Sequence, residues 1–371
     1  MILLTGATFA SVMETVGYVL IALLCLLFMV VIHELGHYAA GKLLGFKITE
    51  FSIGFGPRIL KIKNKKNGEI FSIRPIPLGG FCQFYGEDGE ETEEGAFNAQ
   101  KPWKRLIVLF SGAFFNLLSS FVLITLIFTF YGQLLPTVQS VRPESYLSKN
   151  DLIREGDVIV AVNGRAVNIL MQEDLNNAFS RIEGEEYGTF TILRDGEKKT
   201  VQVKRSSVYM TDAEGNVQYD ENGDPKTYSA FGFVSRIGYV KLPFFMALGR
   251  SFGYVFFLVY KILWLLGALF TGGIKFSESA GGPITIITAM SDSARTGFGS
   301  LAYVVCLISA NLAVMNLLPL PALDGSRMVF TTIEWIRGKP INRKIEAVIH
   351  TIGIVLLFAF ALLADFLQLV K

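Results

Sequence analysis

Long unbroken apolar runs alternate along this chain with stretches of ordinary mixed composition. Four runs, about 16–40, 106–131, 301–321 and 346–369, approach or reach the roughly 20 residues that a membrane-crossing helix needs. A fifth, 252–270, is as apolar as these. Between the first two, "PRILKIKNKKNGEIFSIRPIP" sets two β-rich runs around Asn67-Gly68, a strong cue for a two-residue hairpin turn. Glycine-rich turns are expected on either side of it, in "IGFGP" and "PLGGF". Such a hairpin could sit in the cytosol or dip into a cleft buried in the protein, since lipid alone would not accept its backbone. The acidic run "GEDGEETEEG" that follows is expected to be a solvated loop.

From about Pro136 to Val208 the pattern becomes that of a soluble α/β module. "LIREGDVIVAVNGRAV" alternates apolar positions between turns at Gly156-Asp157 and Asn163-Gly164. "MQEDLNNAFSRI" reads as a short amphipathic helix, and "GTFTILRDGEKKTVQVK" as a hairpin turning at Asp195-Gly196. A polar insertion, Asp212 to Lys226, is expected to form an extra hairpin or a loose loop.

Composition agrees with a membrane protein carrying a soluble insert: 51% of the 371 residues are hydrophobic, 31 are Phe, and the net charge is +2. Near-neutrality argues against a nucleic-acid partner, which calls for a basic face. Cys25, Cys82 and Cys306 are far apart and without CxxC spacing, so neither a disulfide framework nor a zinc ribbon is indicated. Basic residues are segregated, with 11 Lys/Arg from Lys42 to Arg105 and a second group at Arg327, Arg337, Lys339, Arg343 and Lys344. The positive-inside rule then puts both loops in the cytoplasm and both termini outside. With no basic residue ahead of it and no small-x-small site behind it, the first run is expected to be a retained span.

Within that span lies "VVIHELGHYAAGKLLG", which holds two of the three histidines. Ionisable groups at membrane depth are costly and point to function. On a helix, His33 and His37 share a face and can turn imidazole nitrogens toward one ion, while Glu34 stands beside it as a general base. Structural histidines bonded between helices would show the same spacing, so the pair alone does not make a zinc site. A third ligand is offered far downstream, in "NLAVMNLLPLPALDG". There Pro319 and Pro321 break the helix and Asp324 supplies an anionic oxygen.

These two motifs, in this order, closely resemble those of the site-2 protease family of intramembrane zinc metalloproteases, in particular its bacterial RseP-like group with a PDZ insertion. "HELGH" matches the family's HExxH, implying zinc on His33 and His37 and a base at Glu34. "NLLPLPALDG" matches N-x-x-P-x-P-x-L-D-G, implying zinc on Asp324 and substrate contacts around Asn316, Pro319 and Pro321. "FNAQKPWKRLIVLFSGAFFNLL" looks like the segment entering the family's second span, with Gly112 and Asn116 as further substrate-side positions. "SAGGPITI" is similar to the segment before its third span. "I-x-x-G-D-x-I-x-x-V-N-G" at Ile153–Gly164 resembles a circularly permuted bacterial PDZ domain, although "PESYLSKNDL" departs from the small-residue run usual before it.

The resemblance implies a polytopic α-helical membrane protein of about four transmembrane helices, with a membrane-associated β-hairpin and one inserted α/β PDZ domain. Its expected divisions are 1–132 (HExxH helix, hairpin loop, second span), 133–208 (extracytoplasmic PDZ), 209–250 (polar insertion and linker), 251–300 (interfacial apolar helix and linker) and 301–371 (C-terminal core). It implies cleavage of single-span membrane proteins in or near the transmembrane segment after prior trimming of their ectodomains. Anti-sigma factors or remnant signal peptides would be such substrates. The implied partners are those substrates and the lipid bilayer of the inner or plasma membrane, with no nucleic acid. The zinc site would lie toward the cytoplasm. A non-catalytic PDZ scaffold would lack one zinc ligand, whereas all three candidates are present here. A metal or proton transporter would show inverted repeats, and none is visible. The run 252–270 is expected not to cross, because one more crossing would carry Asp324 to the far face.

Overall fold

A computed structural model describes residues 9–87, 93–212, 216–274 and 281–370. The centre of the acidic run (88–92), residues 213–215 of the polar insertion, and Ser279-Ala280 ahead of Gly281 lie outside the described residues, as do 1–8 and 371. The helices, in chain order, are α1 (Phe9–Leu43), α2 (Pro102–Phe130), α3 (Tyr146–Lys149), α4 (Gln172–Phe179), α5 (Phe244–Phe270), α6 (Pro283–Thr296), α7 (Phe298–Leu317), α8 (Asp324–Arg337) and α9 (Arg343–Leu369). The chain divides into two compact units, one formed by Met1–Ile124 with Val255–Lys371 and the other by Thr125–Tyr254.

Among the described residues five helices are long and apolar enough to cross a membrane: α1, α2, α5, α7 and α9. The expected spans 16–40 and 346–369 fall within α1 and α9, 106–131 and 301–321 largely coincide with α2 and α7, and the fifth apolar run lies in α5. Helix α1 is 35 residues long, about 50 Å at 1.5 Å per residue, so it exceeds the hydrocarbon core and carries its histidines in its last third. It ends in a Schellman turn. Phe46 N–H reaches Gly41 O at 2.9 Å and Gly45 N–H reaches Lys42 O at 3.4 Å. Gly45 takes the left-handed conformation there, with φ +81°. Helix α7 stops at Leu317, short of the expected 321, because Pro319 and Pro321 offer no N–H to continue it. Helices α6 and α8 were not expected. Each is 14 residues long, too short and too polar to register as a span. In the first unit, Ala22 and Met29 of α1 pack with Met290 of α6 and with Leu301 and Val305 of α7.

The loop between α1 and α2 folds as a four-stranded sheet in the order β2-β3-β1-β4, from β1 (Ile48–Phe55), β2 (Leu60–Lys63), β3 (Ile70–Ile73) and β4 (Ile76–Phe84). The hairpin expected around Asn67-Gly68 is β2–β3, but its turn is longer than two residues. The strands close at Lys63 and Ile70, and Asn64 N–H bonds Glu69 O at 2.8 Å. The glycine-rich "turns" are a correction: "IGFGP" enters β1 and "PLGGF" is the body of β4. Glycine serves close packing in both strands. Gly54 (φ +88°) sits where the β1–β4 register shifts, and a Cβ on Gly80 would come within 2.6 Å of Ser52 O. The hairpin is tied to α1 through Glu69, whose carboxylate accepts Lys42 Nζ at 2.6 Å and Asn67 Nδ2 at 2.9 Å.

The second unit is built on a sheet in the order β12-β5-β6-β8-β9, from β5 (Gln133–Val141), β6 (Val158–Val162), β8 (Tyr187–Arg194), β9 (Glu197–Lys204) and β12 (Phe233–Val240), with β7 (Arg165–Ala166) paired to β6. Two turn cues are realised as two-residue hairpins. Asn163-Gly164 joins β6 to β7 and Asp195-Gly196 joins β8 to β9, with both turn residues at positive φ in each. The unit runs on to Tyr254, past the expected boundary at 208, because β12 pairs with β5 along its length. The polar insertion is hairpin-like: β10 (Ser206–Tyr209) pairs with β11 (Thr227–Ala230), and bridges Thr211–Val217 and Tyr219–Pro225 continue it.

Candidate metal centre

His33 and His37 sit one turn apart on α1, with rings edge to face at 4.7 Å between centroids. Asp324 is the first residue of α8, 291 positions downstream, and it reaches the same point. His33 Nε2 lies 3.0 Å from Asp324 Oδ2 and 3.1 Å from His37 Nε2, and His37 Nε2 lies 3.3 Å from Asp324 Oδ2. Three donor atoms bonded to one tetrahedral zinc at 2.0–2.1 Å would stand about 3.3 Å apart. Among the described residues this is the single group of His, Cys, Asp or Glu side chains placed to hold a metal ion.

The surroundings aim the imidazoles. His37 Nδ1 donates to Val108 O at 2.8 Å, which leaves the Nε2 lone pair turned to the centre. Asn116 is fully buried, its amide nitrogen 3.4 Å from His33 Nδ1, while its own Oδ1 has no partner. With the amide turned over, Oδ1 accepts His33 Nδ1–H. That leaves His33 Nε2 free to ligate. This buried acceptor fits a metal on the three Nε2 and Oδ2 atoms.

Two glycines permit the approach. A Cβ on Gly112 of α2 would stand 2.5 Å from His37 Nε2 and 2.7 Å from His33 Cε1. A Cβ on Gly325 would stand 2.3 Å from Leu318 O, so the start of α8 can fold back on the end of α7 only with glycine after Asp324. Gly112 and Asn116, expected as substrate-side positions, lie against the two histidines. Asn316, near the end of α7, has its amide nitrogen 3.4 Å from His33 Nε2. Pro319 is exposed, while Pro321 seats against Gly353 of α9.

Glu34 points to the sheet. Its Oε2 accepts the backbone N–H of Cys82, on β4, at 2.9 Å. Burial first, then the Glu34 carboxylate, pushes the Cys82 thiol far above its usual range, and its sulfur is not among the three groups that converge. Neither Cys82 N–H nor Val108 O could be found from the sequence, since backbone groups leave no residue-type signal. Arg105, at the start of α2, pairs with Glu334 of α8 at 2.6 Å with both side chains buried, fixing α8 relative to the helix behind the histidines.

Helices long and apolar enough to cross a membrane thus carry a His-His-Asp cluster, its histidines buried and its aspartate partly so, with a carboxylate one residue along from the first histidine. The chain belongs to Peptidase family M50, whose model matches residues 21–360. Over 372 residues it is 30% identical to a protein of Brucella suis biovar 1 (strain 1330) with the provisional name zinc metalloprotease, covering 95% of each chain. Proteins with the same provisional name in Fusobacterium nucleatum subsp. nucleatum (29% identical, 93% of this chain and 96% of that one) and Clostridium perfringens (28%, again 93% and 96%) are also similar.

Proposed function

We propose that this protein is an intramembrane zinc metalloprotease that hydrolyses a peptide bond in or near the transmembrane segment of single-span membrane proteins, in regulated intramembrane proteolysis. The observation that carries this reading is the convergence of His33, His37 and Asp324 with Glu34 one residue along the same helix. Zinc, when bound by those three residues, would supply a Lewis acid that makes water nucleophilic at neutral pH and polarises the scissile carbonyl. Glu34 would take the proton of the attacking water and return it to the leaving amine. His37 and His33 would be held in their ligating tautomers by Val108 O and Asn116.

A helical substrate hides its carbonyls in i→i+4 bonds and must unwind before it can react. The strand that borders the candidate base is β4, an outer strand of its sheet. The unwound segment would therefore add along β4, rather than along the β2–β3 hairpin. Asn316 would bond the substrate backbone beside His33. The second unit, with its five-strand path and helix α4, supports the reading of a PDZ-like module outside the membrane. The segregation of Lys and Arg supports a cytoplasmic side for the zinc site in the cell membrane. Anti-sigma factors and remnant signal peptides are the substrates this class of chemistry suits. The test is purified protein with a reporter single-span substrate. Cleavage, one bound zinc, and loss of cleavage in Glu34→Gln are expected, and a zinc-bound protein that cleaves no membrane substrate would overturn the reading.

A further inference from the structure

The third histidine, His350, plays no part in the site just described. It lies in the second turn of α9, and its side chain is only 13% exposed. Its Nδ1 accepts the backbone N–H of Ala322 at 3.0 Å. Ala322 stands two residues before Asp324 with φ +81°, a left-handed conformation that is strained for a non-glycine residue and persists only where its surroundings enforce it. One turn further along α9, Gly353 lets Pro321 rest on the helix backbone, because a Cβ there would stand 2.3 Å from Pro321 Cβ and 2.8 Å from its carbonyl. Phe330 of α8 closes the other side, edge-on to the imidazole at 5.7 Å between centroids.

A backbone N–H can only donate, so Nδ1 must present its lone pair and the ring proton sits on Nε2, 3.9 Å from Glu346 Oε1. Glu346 is held by Arg343 at 2.7 Å, and Arg343 also pairs with Glu334 at the far end of α8 at 2.8 Å. Helix α9 thus grips α8 at its C-terminal end through charge and grips the turn leading into its N-terminal end through His350.

We infer that His350 is a positioning residue: by accepting the Ala322 N–H it holds the left-handed turn that delivers Asp324 to His33 and His37. The consequence for metal binding rests on Asp324 being a zinc ligand; the consequence for the turn does not.

The experiment compares His350→Leu, which removes the acceptor, with His350→Asn, whose Oδ1 takes the place of Nδ1, in full-length protein in detergent. In metal-free protein, hydrogen exchange of residues 318–324 should speed up about tenfold in His350→Leu and stay near wild type in His350→Asn. With Co2+ as the probe, affinity should fall by about 10–100-fold in the Leu variant, with altered visible bands, and be restored in the Asn variant. Gly353→Ala, which displaces Pro321 without touching His350, should reproduce the Leu phenotype. If His350→Leu fails to fold, His350→Gln, whose carbonyl sits too far out, takes its place. Equal exchange and equal Co2+ affinity in the acceptor-free and acceptor-bearing variants would overturn the inference. Wild-type protein that takes up no Co2+ would instead sink the ligand assignment of Asp324, and the exchange comparison would still decide the role of His350.

Discussion

Cys82 donates its backbone N–H to the Glu34 carboxylate, with 2.9 Å from N to Oε2. An edge-strand amide therefore orients the candidate base, and Glu34 is not one of the three atoms that converge on the metal position. Glu34→Gln keeps a carbonyl oxygen to accept the same bond but cannot take a proton. It should retain zinc and lose proteolysis by on the order of a thousandfold. Metal analysis of the natively purified variant checks this, and zinc lost along with activity would mean that Glu34 ligates.

Removing any of the three converging side chains should act on the metal itself. His33→Ala, His37→Ala and Asp324→Ala each leave two donors, and retained zinc should drop from one per chain to below about a tenth. Gly112→Ala tests the same geometry from the side, since its methyl would occupy the space of both imidazoles. It should lower metal affinity about tenfold or more while every ligand stays in place. Dialysis against a zinc chelator should abolish cleavage, and added zinc should restore it in the wild type alone.

The parts of this site that were legible in the sequence are local or chemically distinctive. The spacing of His33 and His37 is fixed by one helical turn, and Asp324 is marked by the prolines that end α7. The parts that were not legible depend on approach between distant backbones. "PLGGF" looks like a turn because glycine permits one, yet Gly79 and Gly80 lie in β4 to let β1 come close. That pairing is what brings Cys82 N–H to Glu34. Asn67-Gly68 carries the same hairpin cue as Asn163-Gly164 and Asp195-Gly196. There the chain instead makes a longer loop, because Glu69 is drawn to Lys42 of α1. Gly112 and Asn116 were recognisable as special, but only the crossing of α1 and α2 shows that they serve the histidines.

Glu50 of β1 is the anchor of the sheet that carries β4. It accepts Arg58 Nη2 at 2.5 Å, Arg74 Nη2 at 2.8 Å and Ser72 Oγ at 2.6 Å. Arg58 above all, against the upward push of burial and with Ser72 and Arg74 adding to it, holds its carboxyl down to about 2. A depressed carboxylate gives stability that is complete above the usual Glu range and is lost as pH falls toward 2, here on the order of 3 kcal/mol. Thermal melts between pH 6 and pH 2.5 should show this loss in wild type. Glu50→Gln should melt lower at pH 6 and show a shallower acid dependence. Parallel pH curves would show that the cluster does not contribute.

Helix α5 is long and apolar enough to cross a membrane, yet the direction of its neighbours argues that it does not. Helix α1 runs toward the metal position and α2 starts beside it, with Gly112 against the histidines, and runs away. Helix α7 runs toward it again and hands over to Asp324. A chain leaving α2 on the far side must therefore enter α7 from that side, and a single crossing by α5 would reverse α7. Among the described residues the other helix between them, α6, has 14 residues, about 21 Å, and cannot restore the parity. The first part of α5 is also committed elsewhere. Arg250 donates to Gln133 Oε1 at 2.6 Å, Val160 O at 3.0 Å and Val167 O at 2.6 Å, and Tyr254 bonds Ile169 O at 3.1 Å, all within the sheet-bearing unit. What remains, 255–270, extends about 24 Å at 1.5 Å per residue, short of the roughly 30 Å core. Lying along the interface, α5 would keep both ends on the outer face, with Tyr260, Lys261 and Trp264 at the headgroups. Ser251 is buried and bonded to Ala247 O, so the labelling site at this end is Gly249, which is exposed and has open space at its Cβ position. In a background with Cys25, Cys82 and Cys306 replaced, Gly249→Cys and Gly273→Cys should both react with an impermeant thiol reagent added outside intact cells. Reaction of the two from opposite faces would mean that α5 crosses, and a second, unaccounted crossing would then be needed to bring Asp324 back to the histidines.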